Sequence, residues 1–387
     1  MALPIVTLQF LVYPVISRRV TVGFFGIILT IIAIKNTLSF TTGTSLNNVR
    51  LLRESERSVF KDSKDYNLIF IFSQLLSLIT ALFLAYTYQG SLNIFDALML
   101  FFIFVLSSFK IYGSTFYRIN LNFKRIMMVS VLNVAGIMVG LLFYVFNMGS
   151  WIIIFILSEL LSVLYVLKTT PVLKEHKKLS VDFKNIKRDY LHLFSNALVS
   201  NLMKYLDRFL ISPLIGPEKV AIYYVAAIIS RITALITGPL NSVVLSYTAK
   251  HKSRIDKKLF YKYIWVILIT SAAQFLFVIF FSDFIIKSLY PQLYEHSKDY
   301  IILASTGIII GISSNILHPL IISCSDLKWQ PRINAVYSSF YLSSAFILTV
   351  KYDLYGFCYS SIASHSLKFI MMLAVCYSGI NERNSRK

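Results

Sequence analysis

Apolar residues in this chain gather in runs of about 20, the length a helix needs to cross the hydrocarbon core of a bilayer. Polar and charged residues are collected in short stretches between them. Twelve such runs are read from the chain: 1–17, 22–43, 67–88, 92–112, 127–147, 150–168, 190–213, 220–248, 260–283, 299–324, 333–350 and 354–378. The strict two-residue alternation of a barrel strand is absent, so the runs are read as helices, which satisfy their backbone polar groups internally. The pattern predicts an all-α integral membrane protein with twelve transmembrane helices. The longest polar gap, 168–189 (KTTPVLKEHKKLSVDFKNIKRD), separates six runs from six. The expected organisation is therefore an N-terminal six-helix bundle over 1–167, a basic linker over 168–189, and a C-terminal six-helix bundle over 190–387 ending in a short basic tail.

Composition agrees with this reading. Of 387 residues, 56% are hydrophobic and only 14% charged, too little polar surface for a water-soluble domain of this length. A net charge of +20 would suggest nucleic acid for a soluble protein. Here the excess sits in the gaps between runs, where it is a topology signal, and no nucleic-acid partner is expected. Loops and tail on one side carry 27 Lys and Arg, against six (Arg18, Arg19, Lys219, Lys287, Lys298, Lys351) on the other. The positive-inside rule places both termini in the cytoplasm. The first run has no basic leader or small-residue cleavage site, so no cleavable signal peptide is expected. Cys324, Cys358 and Cys376 are isolated, which supports neither a disulfide framework nor a metal site.

The chemistry is concentrated in the charges that fall inside the runs. Five cations (Lys35, Lys204, Arg208, Arg231, Lys368) face two carboxylates (Glu159, Asp207), with Asp96 and Asp283 near run ends. A charge at bilayer depth is costly and usually faces a protein interior or a wet path. The stretch Asn201–Ala226 places Lys204, Asp207 and Arg208 together before a Pro-bounded turn (Pro213 to Pro217). At 1.5 Å per residue, Lys204 falls roughly 13 Å inside the outer end of its helix. The structural alternative pairs Lys204 with Asp207, three residues apart on one face, and leaves Arg208 over. Single intramembrane charges are often paired or snorkelling, but five cations against two anions point to a cavity that receives an anion. The seven in-run charges are the candidate substrate-binding residues.

A shift of 198 residues lays VGFFGIILTIIA (22–33) over VAIYYVAAIISR (220–231), so that Lys35 and Arg231 fall near equivalent depths of the second helix in each half. The two helices run in the same direction, as in a parallel repeat about an axis along the membrane normal, which places substrate between the halves. Gly238-Pro239, Pro14, Pro213 and Pro319 are candidate kinks. His318 and His365, also in runs, are read as hydrogen-bonded core residues before proton carriers. The numerous Phe and Tyr suit lipid contact and interfacial belts. No GxxxxGK[ST], H-E-x-x-H or G-x-S-x-G motif occurs, and the outer loops are too short for a catalytic domain. No cofactor and no enzymatic activity are expected. A gradient-driven or removal-driven transporter remains.

The residues around 201–226 carry a resemblance. Tyr205-Leu206-Asp207-Arg208-Phe209, then Ile215-Gly216-Pro217-Glu218, then Ile222-Tyr223 resemble Wzx-type O-antigen flippases of the multidrug/oligosaccharidyl-lipid/polysaccharide (MOP) exporter superfamily. Tyr13-Pro14-Val15-Ile16-Ser17-Arg18 and Gly23-Phe24-Phe25 echo them in the first half. The chain departs from the pattern at Ala221, where that family usually has Gly, and in its short first run. The resemblance implies two six-helix bundles forming a MATE-like V, opening alternately to each side of the bacterial inner membrane. It implies an undecaprenyl-diphosphate-linked oligosaccharide as cargo, an O-antigen or capsule repeat, with membrane lipids around it. H+ or Na+ would be the coupling ion, and a polysaccharide polymerase and chain-length regulator would be partners. Two other readings stay open: a cation-coupled multidrug exporter of the same fold, and a membrane polysaccharide polymerase or ligase. The first would call for cavity carboxylates, the second for a large outer loop.

Overall fold

The computed structural model describes residues 2–56, 63–88, 92–172, 182–251, 257–325 and 328–385; for 2, 54–63, 235–259, 319, 322–324 and 381–385 it gives no side-chain account. Every described element is helical, and the twelve apolar runs fall on helices, those at 1–17 and 190–213 on more than one. Among the described residues, eight helices are long and apolar enough to cross a membrane by length and composition. The protein is a multi-pass membrane protein. By Cα packing the chain divides into two compact units, one of residues 1–16 and 28–205, the other of residues 17–27 and 206–387.

The first unit opens with α1 (Ala2–Thr7), a π-helical turn (Leu8–Val12) and α2 (Tyr13–Ser17). Pro14 has no N–H and its ring crowds the carbonyl four residues back. The chain widens just before it, and the Tyr13 N–H donates to the Leu8 carbonyl five residues back. α3 (Val22–Glu56) passes from the second unit into the first. It is followed by α4 (Ser63–Thr87), α5 (Ile94–Gly113), the short α6 (Thr115–Ile119), α7 (Phe123–Val145), α8 (Ile152–Thr169) and α9 (Phe183–Lys204). Asp96, an unexplained charge in the sequence, closes a capping box with Asn93 at the start of α5. α7 and α8 approach closely because Gly136 and Gly140 meet the α8 backbone at Leu157, Ser158 and Ile154, with no room for a side chain. Asn133 bridges the same seam to the Ser158 carbonyl and the Ser162 hydroxyl, both at 3.2 Å.

An aromatic core ties α3, α4, α5 and α9 together through Leu46, Tyr66, Phe70, Tyr112, Ile186 and Tyr190. Arg50, which the sequence places in a loop, is fully buried in α3. Its guanidinium lies 4.3 Å from the Phe116 ring centroid and 5.0 Å from that of Tyr66, and donates to the Tyr112 hydroxyl at 2.8 Å. This core is why α9 groups with the first unit, although the expected bundle limits assign 190–205 to the second. Of the basic linker expected at 168–189, residues 173–181 lie outside the described residues, and the rest falls at the end of α8 and the start of α9.

The second unit holds residues 17–27 and α10 (Leu206–Ile215), α11 (Pro217–His251), α12 (Lys257–Leu289), α13 (Pro291–Cys324) and α14 (Trp329–Ser385). α13 packs against α11, α12 and α14, and its lower half shares a core of Ile267, Leu317, Ile333, Met372 and Cys376. Residues 220–230 of α11 are buried all round, as expected of a helix apolar on every face. The last two apolar runs form α14 as one helix kinked at Tyr352 and Asp353 (φ 56°, ψ −141°). Cys358 and Cys376 are buried and outside any disulfide; the side chain of Cys324 and those of Gly238-Pro239 and Pro319 lie outside the described set.

Candidate functional site

The intramembrane charges sort into separate groups, each inside one unit. In the first unit α3 supplies Lys35, α5 supplies Lys110 and α8 supplies Glu159. The Lys35 amine donates to Glu159 Oε1 at 2.8 Å, and the Lys110 amine lies 2.6 Å from Glu159 Oε2. The carboxylate side chain is 4% exposed and the two lysines 13% and 19%. One buried carboxylate therefore holds two ammonium groups, one on each oxygen, leaving a surplus positive charge. A line of hydroxyls continues from it along α3 and α5, with Thr42 donating to Ser108 at 3.0 Å and Ser39 to the Phe104 carbonyl at 3.3 Å.

Lys110 is the member that sequence reasoning misses. Counted as a loop residue at the end of the 92–112 run, it lies in the last turn of α5. The signal was available: a helix capped at Asn93 and apolar through Tyr112 still contains position 110.

In the second unit Asp207 sits in the first turn of α10. Arg231 on α11 donates from Nη2 to Asp207 Oδ2 at 2.6 Å, with side-chain exposures of 24% and 8%. The Arg231 guanidinium lies 5.8 Å from both the Tyr223 and Tyr224 ring centroids, and that of buried Arg208 lies 5.4 Å from the Tyr224 centroid. These are cation–π distances. Asp207 occupies one donor of a five-donor guanidinium, so Arg231 keeps donors for a planar anion.

The structural pairing of Lys204 with Asp207 is not what forms. Tyr205 (φ −113°, ψ 20°) ends α9 at Lys204, and α10 restarts at Leu206, so the two residues do not share a helical face. Asp207 turns to Arg231, while Lys204 is exposed, with its amine 5.7 Å from the Phe40 and Tyr205 rings. Lys368 on α14 stands apart again, half-buried, its amine 3.4 Å from Asn315 Oδ1 and 5.1 Å from the Tyr337 ring centroid. So Lys35 with Glu159, and Arg231 with Asp207, are brought together in separate units, while Lys204 and Lys368 join neither pair. The cation on the second helix of each half is in both cases held by a carboxylate of its own unit.

The turn between α10 and α11 is built by Gly216, whose φ of +98° suits glycine, followed by Pro217 in the first helical position. Gly26 lies directly against the Pro217 backbone, and a Cβ at Gly23 would meet the Glu218 side chain at 3.2 Å. The two glycines of the 22–26 segment thus pack on the Gly216-Pro217-Glu218 turn within the second unit.

Comparison with known proteins places this arrangement. The fold is similar to an inward-facing multidrug resistance MATE family transporter of the MOP superfamily (TM-score 0.64, 13% identity, 96% of this chain and 95% of that one). It is similar to the lipid II flippase MurJ in an inward closed conformation (TM-score 0.68, 14% identity, 94% and 86%). It is also similar to a MATE transporter of Vibrio cholerae, VcmN, in its bent form (TM-score 0.51, 14% identity, 98% and 94%). A search of curated proteins gives no match. Residues 15–299, most of the chain and all of the charged groups above except Lys368, match the family described as polysaccharide biosynthesis protein, and the chain belongs to that family, with a fold of the MOP superfamily.

Proposed function

We propose that the protein is a flippase that carries an undecaprenyl-diphosphate-linked oligosaccharide, an O-antigen or capsule repeat unit, from the inner to the outer leaflet of the bacterial inner membrane by alternating access. The observation that carries this reading is the charge balance at bilayer depth: Lys35 and Lys110 share the single carboxylate of Glu159. Surplus cations in a low-dielectric setting suit an anion with several acceptor oxygens, since charge-assisted hydrogen bonds are strong there. A diphosphate is such an anion. Lys35, Lys204, Arg208, Arg231 and Lys368 are assigned to it, and Glu159 and Asp207 hold two of those cations in place. Membership of a polysaccharide biosynthesis family supports a saccharide cargo, and a fold neighbour named as a lipid II flippase supports a lipid-linked one. Export would feed a polymerase and chain-length regulator, with H+ or Na+ as coupling ion.

The multidrug exporter is the second reading, supported by the MATE-type neighbours. It calls for carboxylates open to organic cations, whereas Glu159 and Asp207 are each occupied by internal cations. The test is complementation of a deletion strain. Arg231→Ala and the triple variant Lys35→Ala/Lys110→Ala/Glu159→Gln, which removes the carboxylate together with its cations, should abolish surface polysaccharide while the protein still inserts. Full polysaccharide from both, together with drug hypersensitivity of the deletion strain, would refute the flippase reading in favour of drug export.

A further inference from the structure

One end of the first unit, where α5 gives way to α7 and α8 finishes, carries four cations. They are Arg118 on α6, Lys124 and Arg125 in the first turn of α7, and Lys168 in the last turn of α8. Arg118 is half-buried and the other three are exposed. Among the described residues none of the four lies within ion-pair distance of a carboxylate. The two arginines have neutral partners instead. Arg125 Nη1 donates to the Thr169 carbonyl at 3.2 Å, and the guanidinium lies 6.0 Å from the ring centroid of Tyr117, whose hydroxyl is hydrogen-bonded to that of Thr169. Arg118 Nη1 donates to Asn47 Oδ1 at 2.8 Å and to Asn48 Oδ1 at 3.3 Å. Each guanidinium is thus fixed through Nη1 alone, with donors left for an anion.

Exposed apolar side chains stand beside these cations. Leu121 is 72% exposed and Phe123 66%, and Met127, one turn into α7, is 60% exposed. Leu121 holds a φ of 50°, a left-handed backbone uncommon in a residue other than glycine. Position along the chain puts the patch at a boundary of the bilayer. Residues 118–125 fall in the gap between the apolar runs 92–112 and 127–147, and Lys168 closes the run 150–168. The Arg125–Thr169 hydrogen bond holds both at the same end. On the distribution of Lys and Arg that end is expected to face the cytoplasm, where anionic lipid draws basic segments to the surface. Cations without carboxylates, next to exposed apolar groups, match a molecule with an anionic head and an acyl chain.

We propose that Arg118, Lys124, Arg125 and Lys168 form a binding site for an anionic glycerophospholipid, its phosphodiester held by Arg125 and the cations around it and its acyl chain lying against Leu121 and Phe123. The site is separate from the buried Lys35–Glu159–Lys110 group and independent of the cargo the protein carries. In the test, the full-length protein in mild detergent is titrated with phosphatidylglycerol, phosphatidylethanolamine and undecaprenyl diphosphate, and bound lipid is read by native mass spectrometry. Wild type should bind phosphatidylglycerol about tenfold more tightly than phosphatidylethanolamine, which has no net charge. Lys168→Gln should weaken phosphatidylglycerol about fivefold, the effect of one cation near a headgroup, and Lys124→Gln/Arg125→Gln about twentyfold. Phosphatidylethanolamine should bind alike to all of them, and added salt should narrow the gap between the two lipids. Lys187→Gln, which removes an exposed cation of α9 outside the patch, should leave phosphatidylglycerol binding unchanged. Wild-type affinity for phosphatidylglycerol in the double variant overturns the site. Equal losses from Lys187→Gln and Lys168→Gln also overturn it, since they describe a diffuse cationic surface. So does displacement of phosphatidylglycerol by a lower concentration of undecaprenyl diphosphate, which would make the patch a substrate site.

Discussion

Glu159 shows how a single side chain sets the character of its surroundings. Its two oxygens hold Lys35 and Lys110 at 2.8 Å and 2.6 Å, and removing one partner of such a buried group leaves charges uncompensated, at a cost of about 3–5 kcal/mol. Glu159→Gln is therefore expected to lower stability in detergent by about that amount. Adding Lys110→Met should recover part of the loss. Thermal unfolding of the single and double variants checks this; independent, additive losses would mean that the pair is not coupled. Arg231 makes a different case, because it retains a quarter of its side-chain exposure while Asp207 is nearly sealed. It can keep its carboxylate and still meet a second anion. Lys204, by contrast, is exposed and among the described residues lies near two ring faces, and Lys204→Gln should leave stability within about 0.5 kcal/mol of wild type, the usual effect at an exposed position.

Among the elements, the α10–α11 turn depends most on backbone chemistry. Gly216 at φ +98° would carry the cost of a left-handed backbone if replaced, so Gly216→Ala should destabilise the protein by about 1–2 kcal/mol. An unchanged unfolding temperature would show that the turn adapts instead. Just after it, Lys219 donates to Asp353 at 2.8 Å and joins the start of α11 to the kink of α14. That hydrogen bond raises the lysine above its ordinary value. A raised lysine contributes stability below its unfolded value of about 10.4, and loses it as the pH climbs through the folded one. The stability difference between wild type and Lys219→Gln should thus be present at pH 7 and disappear under strongly alkaline conditions. Helix ends follow local rules of this kind, as the Asn93–Asp96 box at the start of α5 shows. The break at Tyr205 could not: no Gly or Pro marks it, and an apolar run looks alike whether one helix or two cover it.

For the whole molecule, the alternation of apolar runs with basic gaps makes a prediction that needs no site. In a protein stripped of its three cysteines, a single cysteine at Asn147 should react with a membrane-impermeant maleimide added from outside, and one at Lys184 only after permeabilisation. Labelling of both from one side would break the topology. The sequence alone determined the helical class and the apolar runs, because bilayer thickness and the cost of unpaired backbone act on composition and length, which are local properties, and the residues around 201–226 carried the likeness to the family. Which charge meets which was decided only by the tertiary structure. Lys35 and Glu159 are 124 residues apart, Asp207 chooses Arg231 over its near neighbour Lys204, and Lys110 joins from a helix end read as loop. Such pairings depend on helix rotation and on packing between distant segments, and a charge in low dielectric takes the partner that packing brings within reach, whatever its distance along the chain.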